Sequence, residues 1–179
     1  ILLLPSRGTL PEGLAPGMTT LGFMLPYTPL HHLLLRAVGR PLVMTSGNIH
    51  DEPIVIDDED AYEKLFAVAD AFLGHDRAIR ARYDDSVVRV IEAGSAGEAV
   101  QFIRRARGYA PLPLAMPAKA REGEDVSRET SVREQGCSIF ATGPEQKNTF
   151  ALTRDAEAFV SQHIGDLENA ETYDAWLQA

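Results

Sequence analysis

Residues 41–54 read PLVMTSGNIHDEPI, and this stretch constrains the fold more than any other. Pro41–Thr45 is a short apolar run with Pro41 at one end and a Ser-Gly-Asn triplet at the other. That pattern predicts a buried strand emptying into a turn. Ser46 and Asn48 bring a hydroxyl and an amide. Gly47 between them lets the backbone take a positive φ, or lets a ligand come close to its N–H groups. A strand ending in a small polar turn can cradle an anion or a phosphate. Ser-Gly-Asn is equally an ordinary turn sequence, so two readings stand at this point.

The chain is long enough for one good core, or for one domain and part of another, since 45% of its 179 residues are hydrophobic. No stretch approaches the roughly 18 consecutive apolar residues of a membrane span. The opening Ile1–Leu4 meets Pro5 at once and has no basic leader, so it does not read as a signal peptide. It looks like a strand cut at its beginning, and the polypeptide is expected to be a piece of something longer. A net charge of −9 argues against a generic nucleic-acid binder, although the arginines cluster locally. A single cysteine, Cys137, excludes an internal disulfide and a Cys-based zinc finger within these residues. A reducing cytoplasm is the compartment this implies.

In chain order, residues 1–4 and Leu21–Leu25 read as strands, separated by a Pro/Gly-rich connection. Thr28-Pro29 is a hydroxyl N-cap followed by Pro at the first helical position. Leu30, Leu33, Leu34 and Val38 then recur at helical spacing, and Gly39 is placed to end the helix. His31 and His32 inside it point about 100° apart and do not make a shared metal site. The acidic run Asp57–Asp60 reads either as a magnesium site or as a helix N-terminus, and the cap is favoured. Ala61, Leu65, Val68 and Ala69 carry the helical period behind it. Ala71–Leu73, Val87–Ile91 and Ala99–Ile103 read as further strands. Arg77, Arg80 and Arg82 precede Asp84-Asp85-Ser86, and Arg104, Arg105 and Arg107 close the last of these strands. Guanidinium groups at strand ends suit a polyphosphate, because their fork geometry matches phosphate oxygens. The plain alternative is surface arginines paired with Asp84 and Asp85. Residues 118–135 are charged and aperiodic, as in an exposed linker. After Cys137, Ser138–Ala141, Thr149–Leu152 and Ala158–Ser161 are strand candidates, and Asp166–Gln178 reads as an amphipathic helix. About 43 such residues are too few for a stable domain alone, so they are expected to begin a second one. His163 is expected to pack beside a strand end.

Six motifs now stand in order: LGFMLPYTPLHHLL, TSGNIHDEPI, GHDRAIRARYDDSVVR, IRRARGYAPLPL, KNTFAL and SQHIGDLENAETY. Together they resemble the HypF carbamoyltransferases of nickel–iron hydrogenase maturation, across all but the linker. The resemblance implies an α/β fold. Residues 1–113 would be the later part of a YrdC-like domain with a twisted open sheet and helices, residues 114–136 a linker, and residues 137–179 the first strands and helix of an ASKHA-type transferase domain. It also implies an activity. In the family, carbamoyl phosphate and ATP give carbamoyl adenylate, and the carbamoyl group passes to the C-terminal cysteine of HypE for cyanide ligand synthesis. ATP with Mg²⁺ would be bound here, and zinc only in family regions this chain does not contain. Carried over by position, Ser46 and Asn48 match the Ser-x-Asn of the YrdC-like site. Asp85 and Ser86 fall at its phosphate-facing turn, and Arg104 matches the arginine of the next strand. Lys147 and Asn148 match the Lys-Asn of the transferase domain's first hairpin, a phosphate-contacting position in such folds. No dedicated nucleophile is required for adenylation, where positioning and charge stabilisation do most of the work. His50 and the segment Thr142–Gln146 depart from the family pattern.

Two other classes remain in view. A YrdC-type threonylcarbamoyl-adenylate synthase of tRNA modification shares the Ser-x-Asn logic, but has no place for KNTFAL and SQHIGDLENAETY. A non-catalytic fragment that binds nucleotide weakly, or only docks HypE, would follow from an incomplete sheet with an unpaired edge.

Overall fold

The structure is a computed structural model that describes residues 1–8, 11–50, 52–116 and 138–178. The expected linker at 118–135, and Cys137 with it, lie outside the described residues. The fold is mixed α/β. It divides into two compact units, Ile1–Ser46 with Asp85–Arg105, and Gly47–Asp84 with Ala106–Ala179.

The first unit holds β1 (Leu2–Pro5), β2 (Thr20–Phe23), α1 (Pro29–Val38), β3 (Val87–Glu92) and β4 (Glu98–Arg104). The strand order is β2-β1-β3-β4. β1 runs antiparallel to β2, with Leu2 opposite Phe23 and Pro5 opposite Thr20. It runs parallel to β3, with Leu2 opposite Val88. A parallel pair needs a long connection between its strands, and here that connection is residues 6–86. β3 and β4 form an antiparallel hairpin closed by Gly94 and Gly97, whose φ angles of 59° and 79° suit glycine. α1 begins as its sequence predicts. The Thr28 hydroxyl accepts from the His31 N–H at 3.1 Å, Pro29 sits at N1, and Gly39 ends the helix at φ 69°.

The second unit opens with α2 (Asp58–Leu65) and continues through β5 (Leu114–Ala115), β6 (Phe140–Ala141), β7 (Ala151–Arg154), β8 (Glu157–Val160) and α3 (Ala170–Gln178). The sheet order is β5-β8-β7-β6. Asp57 caps α2 by accepting from the N–H groups of Glu59 and Asp60 at 2.8 and 3.3 Å. The acidic run is thus a helix start. β5 lies well before the other three strands in sequence, yet pairs with β8 through Leu114 opposite Ala158. The Met116 N–H extends the ladder to the Ala156 carbonyl at 3.0 Å.

Three expectations are corrected. Pro41–Thr45 is not a strand: it has no regular structure, with Val43 78% exposed and Met44 52% exposed. A strand exists only where a neighbour completes its ladder, and among the described residues none lies alongside; Pro41 in addition has no N–H to donate. Ala71–Leu73 is likewise not a strand. Phe72 packs instead against Tyr62 of α2, with ring centroids 4.7 Å apart. The last helix begins at Ala170 rather than Asp166, because Asn169 is its cap, accepting from Glu171 and Thr172 N–H groups at 2.9 and 3.2 Å. Asp166 is drawn elsewhere.

Candidate functional site

In the first unit the β3–β4 hairpin brings three of the candidate residues together. Val87 lies opposite Arg104, so Asp85 and Ser86, just before β3, meet the arginine that ends β4. Arg104 Nε donates to the Asp85 carbonyl at 2.9 Å. The Asp85 carboxylate accepts from the Tyr27 hydroxyl at 2.9 Å. Tyr27 was not singled out by the sequence, since its only local signal is its place just ahead of the α1 cap. Its ring meets His31 edge-on at 4.7 Å. Ser86 is only 4% exposed, so its hydroxyl belongs to the interior of the hairpin end and not to a rim. Ser46 is exposed just after the irregular segment 41–45. The group as a whole offers a guanidinium, a phenol and a carboxylate. Those are groups that can meet a phosphate directly or through a cation.

The second unit carries Asn48, Lys147 and Asn148. The Asn48 amide donates to the carbonyls of Ile49 and Glu52, both at 3.0 Å. The Val55 N–H closes the same loop on the Gly47 carbonyl at 2.9 Å. Asn48 therefore braces its loop. Gly47 does not use the positive φ its sequence context suggested, and a Cβ there would meet Leu65 Cδ1 at an ordinary 3.7 Å.

The Asn148 side chain is 1% exposed and turned inward. Its amide donates to the carbonyls of Thr142 and Pro144 at 3.1 and 2.5 Å. Its backbone is paired with the SQHIGD segment, N–H to the Gly165 carbonyl at 2.8 Å and carbonyl to the Ile164 N–H at 2.9 Å. Asn148 is thus a brace and not an exposed ligand contact. Lys147, by contrast, is exposed at φ 50°, and its N–H donates to Asp166 Oδ1 at 2.6 Å. Of the Lys-Asn pair, only the lysine presents its side chain to solvent.

Two polar links inside this unit were not legible beforehand. Glu171 on α3 takes Lys64 Nζ on one carboxylate oxygen and Arg82 Nη2 on the other, both at 3.0 Å. Arg82 also donates through Nε to the Ile54 carbonyl at 3.0 Å. The hydrogen bond from Lys64 holds the Glu171 carboxyl below its usual range; the charges of Lys64 and Arg82 add to this and desolvation opposes it. The same hydrogen bond raises Lys64, helped by the nearby carboxylates. The second link is His163 Nδ1 to Asp84 Oδ2 at 2.7 Å, with both side chains under a fifth exposed. His163 is thus paired and not merely packed. Among the described residues no group of three or more metal-binding side chains comes together.

Comparison with known proteins gives the class first. The Sua5/YciO/YrdC family model, described as "Telomere recombination", matches residues 1–106, and the chain belongs to that family. A second model, described as the HypF Kae1-like domain, matches residues 134–179. The combination is that of proteins named carbamoyltransferase HypF. The Rhodobacter capsulatus protein of that name is 48% identical over all of this chain, which covers 22% of it. The Synechocystis protein is 44% identical over 94% of this chain and 19% of its own length. A crystal structure of full-length HypF in a phosphate- and nucleotide-bound form aligns with 99% of this chain and 25% of that one, at a TM-score of 0.78 and 43% identity. The T.kodakarensis HypF crystal structure aligns with all of this chain and 21% of that one, at a TM-score of 0.79 and 36% identity. The chain thus spans about a fifth of the length of the curated relatives it matches.

Proposed function

We propose that this chain supplies nucleotide-handling parts of a hydrogenase-maturation carbamoyltransferase. ATP and carbamoyl phosphate would be its substrates and carbamoyl adenylate its intermediate. The acceptor would be the C-terminal cysteine of HypE. The observation that carries this reading is the meeting of Asp85 and Arg104 at the hairpin end, in a chain so similar to carbamoyltransferases HypF. Arg104, with Nε held on the Asp85 carbonyl, is preorganised toward phosphate, so little ordering remains to be done on binding. The Asp85 carboxylate would repel a bare phosphate. With its orientation fixed by Tyr27, it would instead face Mg²⁺ arriving with ATP. Ser46 supplies a hydroxyl, and Lys147 is the second phosphate-directed cation. The work would be done in the cytoplasm; among the described residues no helix is long and apolar enough to cross a membrane.

In this reading adenylation is attack of a carbamate oxygen on the α-phosphorus of ATP. The protein contributes alignment and charge stabilisation while pyrophosphate leaves. The Kae1-like match at 134–179 favours this over a threonylcarbamoyl-adenylate synthase, which shares the family of residues 1–106.

The test is calorimetric titration of the chain with ATP and with AMP, beside Arg104→Ala and Ser46→Ala. Binding by the unsubstituted chain, weakened at least tenfold in Arg104→Ala, is the expected result. A folded chain with no binding would contradict it and leave a docking fragment as the better reading. Residues 1–179 alone are expected to release no pyrophosphate from ATP and carbamoyl phosphate. Turnover above a Ser46→Ala control would overturn that expectation.

A further inference from the structure

The SQHIGD segment does more than close on Asn148. A carboxylate can only accept, so in a neutral His163 the proton sits on Nδ1, where Asp84 Oδ2 lies 2.7 Å away. Nε2 is then the acceptor nitrogen. It makes no hydrogen bond among the described residues and is not one of the buried unpartnered atoms. Here one ring nitrogen is fixed by a carboxylate and the other is left open, the relation of orienter to base. The imidazole is also anchored. Ile164 and Gly165, directly after it, are bonded to Asn148, and the Ser161 hydroxyl donates to the Gln162 carbonyl at 2.9 Å. Asp166, three residues on, holds the Lys147 N–H. The open nitrogen thus belongs to the same strip of chain that positions the exposed lysine.

We propose that Asp84 and His163 form a proton-transfer dyad, with His163 Nε2 the base that deprotonates a thiol acceptor during carbamoyl transfer. This rests on the carbamoyltransferase reading above. The thiol sulfur attacks the carbamoyl carbon of carbamoyl adenylate, and a C–S bond forms. The C–O bond to the phosphate breaks, and AMP leaves with its electron pair. The S–H proton passes to Nε2, and the imidazolium is stabilised by Asp84. His163 acts on the acceptor; Asp84 is a positioning residue.

The experiment uses the intact polypeptide that carries these residues, with preformed carbamoyl adenylate and a synthetic peptide ending in cysteine. The decisive variant is His163→Asn, whose amide can still donate to Asp84 but which has no base at the Nε2 position. Transfer is expected to fall about a hundredfold near pH 7, the range of general-base catalysis. The deficit should close as pH rises past the acceptor's own ionisation near about 8.5, because the thiolate then needs no base. Asp84→Asn should show a smaller deficit, at least about tenfold, with the same pH trend. A wild-type rate in His163→Asn, or a deficit that does not change with pH, overturns the dyad. An unsubstituted protein that transfers nothing overturns the carbamoyltransferase reading instead.

Discussion

Two turns of the second unit are each built round an asparagine, and they use it in the same way to different depth. Asn48 and Asn148 both spend their amide nitrogen on two carbonyls of their own loop. Asn48 is half-buried, and its loop is closed locally by the Val55–Gly47 hydrogen bond. Asn148 is buried, and its backbone is also tied to Ile164 and Gly165, far along the chain. The difference teaches that a Ser-x-Asn or Lys-Asn motif divides its labour. The amide shapes the loop, and the neighbouring Ser46 or Lys147 is the exposed group. It also predicts that the second turn tolerates much less change than the first.

The glycines should break the comparison most widely. A Cβ on Gly143 would lie 1.9 Å from the Thr149 carbonyl oxygen, at φ 74°. Backbone cannot yield as a side-chain tip can, so Gly143→Ala should cost on the order of 4 kcal/mol. Gly47→Ala meets only Leu65 Cδ1 at 3.7 Å and has no positive φ to strain. It should stay within about 1 kcal/mol, helped by a less flexible unfolded chain. Urea unfolding of both variants decides the point. Equal losses would mean the two turns are equally constrained.

The asparagines themselves come next. Removing the Asn148 side chain empties a site that is 1% exposed and takes the donor from two carbonyls, so Asn148→Ala should lose about 2–3 kcal/mol. Asn48→Ala removes a side chain that is only half-buried and should lose about 1 kcal/mol. If the order reverses in thermal unfolding, burial is not what separates the turns. Lys147→Ala sharpens the other half of the division. It should hardly change stability, because its exposed side chain makes no hydrogen bond or ion pair among the described residues, while phosphate affinity falls at least tenfold in a titration.

What the sequence made legible follows the range of the forces involved. The α1 and α2 starts at Thr28 and Asp57, the Gly39 stop and the β3–β4 hairpin are set by neighbours a few residues away. Pairings across long separations were not visible. Pro41–Thr45 and Ala71–Leu73 have the composition of strands without a neighbour to complete them, whereas Leu114–Ala115, in a proline-rich run, becomes a strand because β8 is there. The candidate residues show the same limit. Residue type pointed to Asn48, Ser86 and Asn148, but whether a polar atom faces a ligand or a carbonyl depends on geometry. The contacts of Tyr27 with Asp85, of Glu171 with Lys64 and Arg82, and of Asp84 with His163 join residues far apart in sequence, so no local signal could give them.

The smallest effect concerns the link between the Asn48 loop and α3. Lys64 reaches Glu52, whose carbonyl Asn48 braces, at 3.8 Å, and Glu171 on α3 at 3.0 Å. Because folding lowers Glu171 from 4.5, its contribution is present above that pH and is lost as pH falls through the folded value. Folding raises Lys64 from 10.5, so its contribution is present below that pH and is lost as pH rises through the folded value. The link should therefore act across the whole neutral range and weaken at both extremes. Its side chains are about a third to half exposed, so water and salt screen most of the attraction. Glu171→Gln should then lower Tm at pH 7 by less than Asn48→Ala does, and its curve should approach the wild-type curve below about pH 4. Added salt should shrink the gap at pH 7. Two curves separated equally at every pH would show that Glu171 acts by packing rather than charge, and the Asn48 loop and α3 would then share no electrostatic tie.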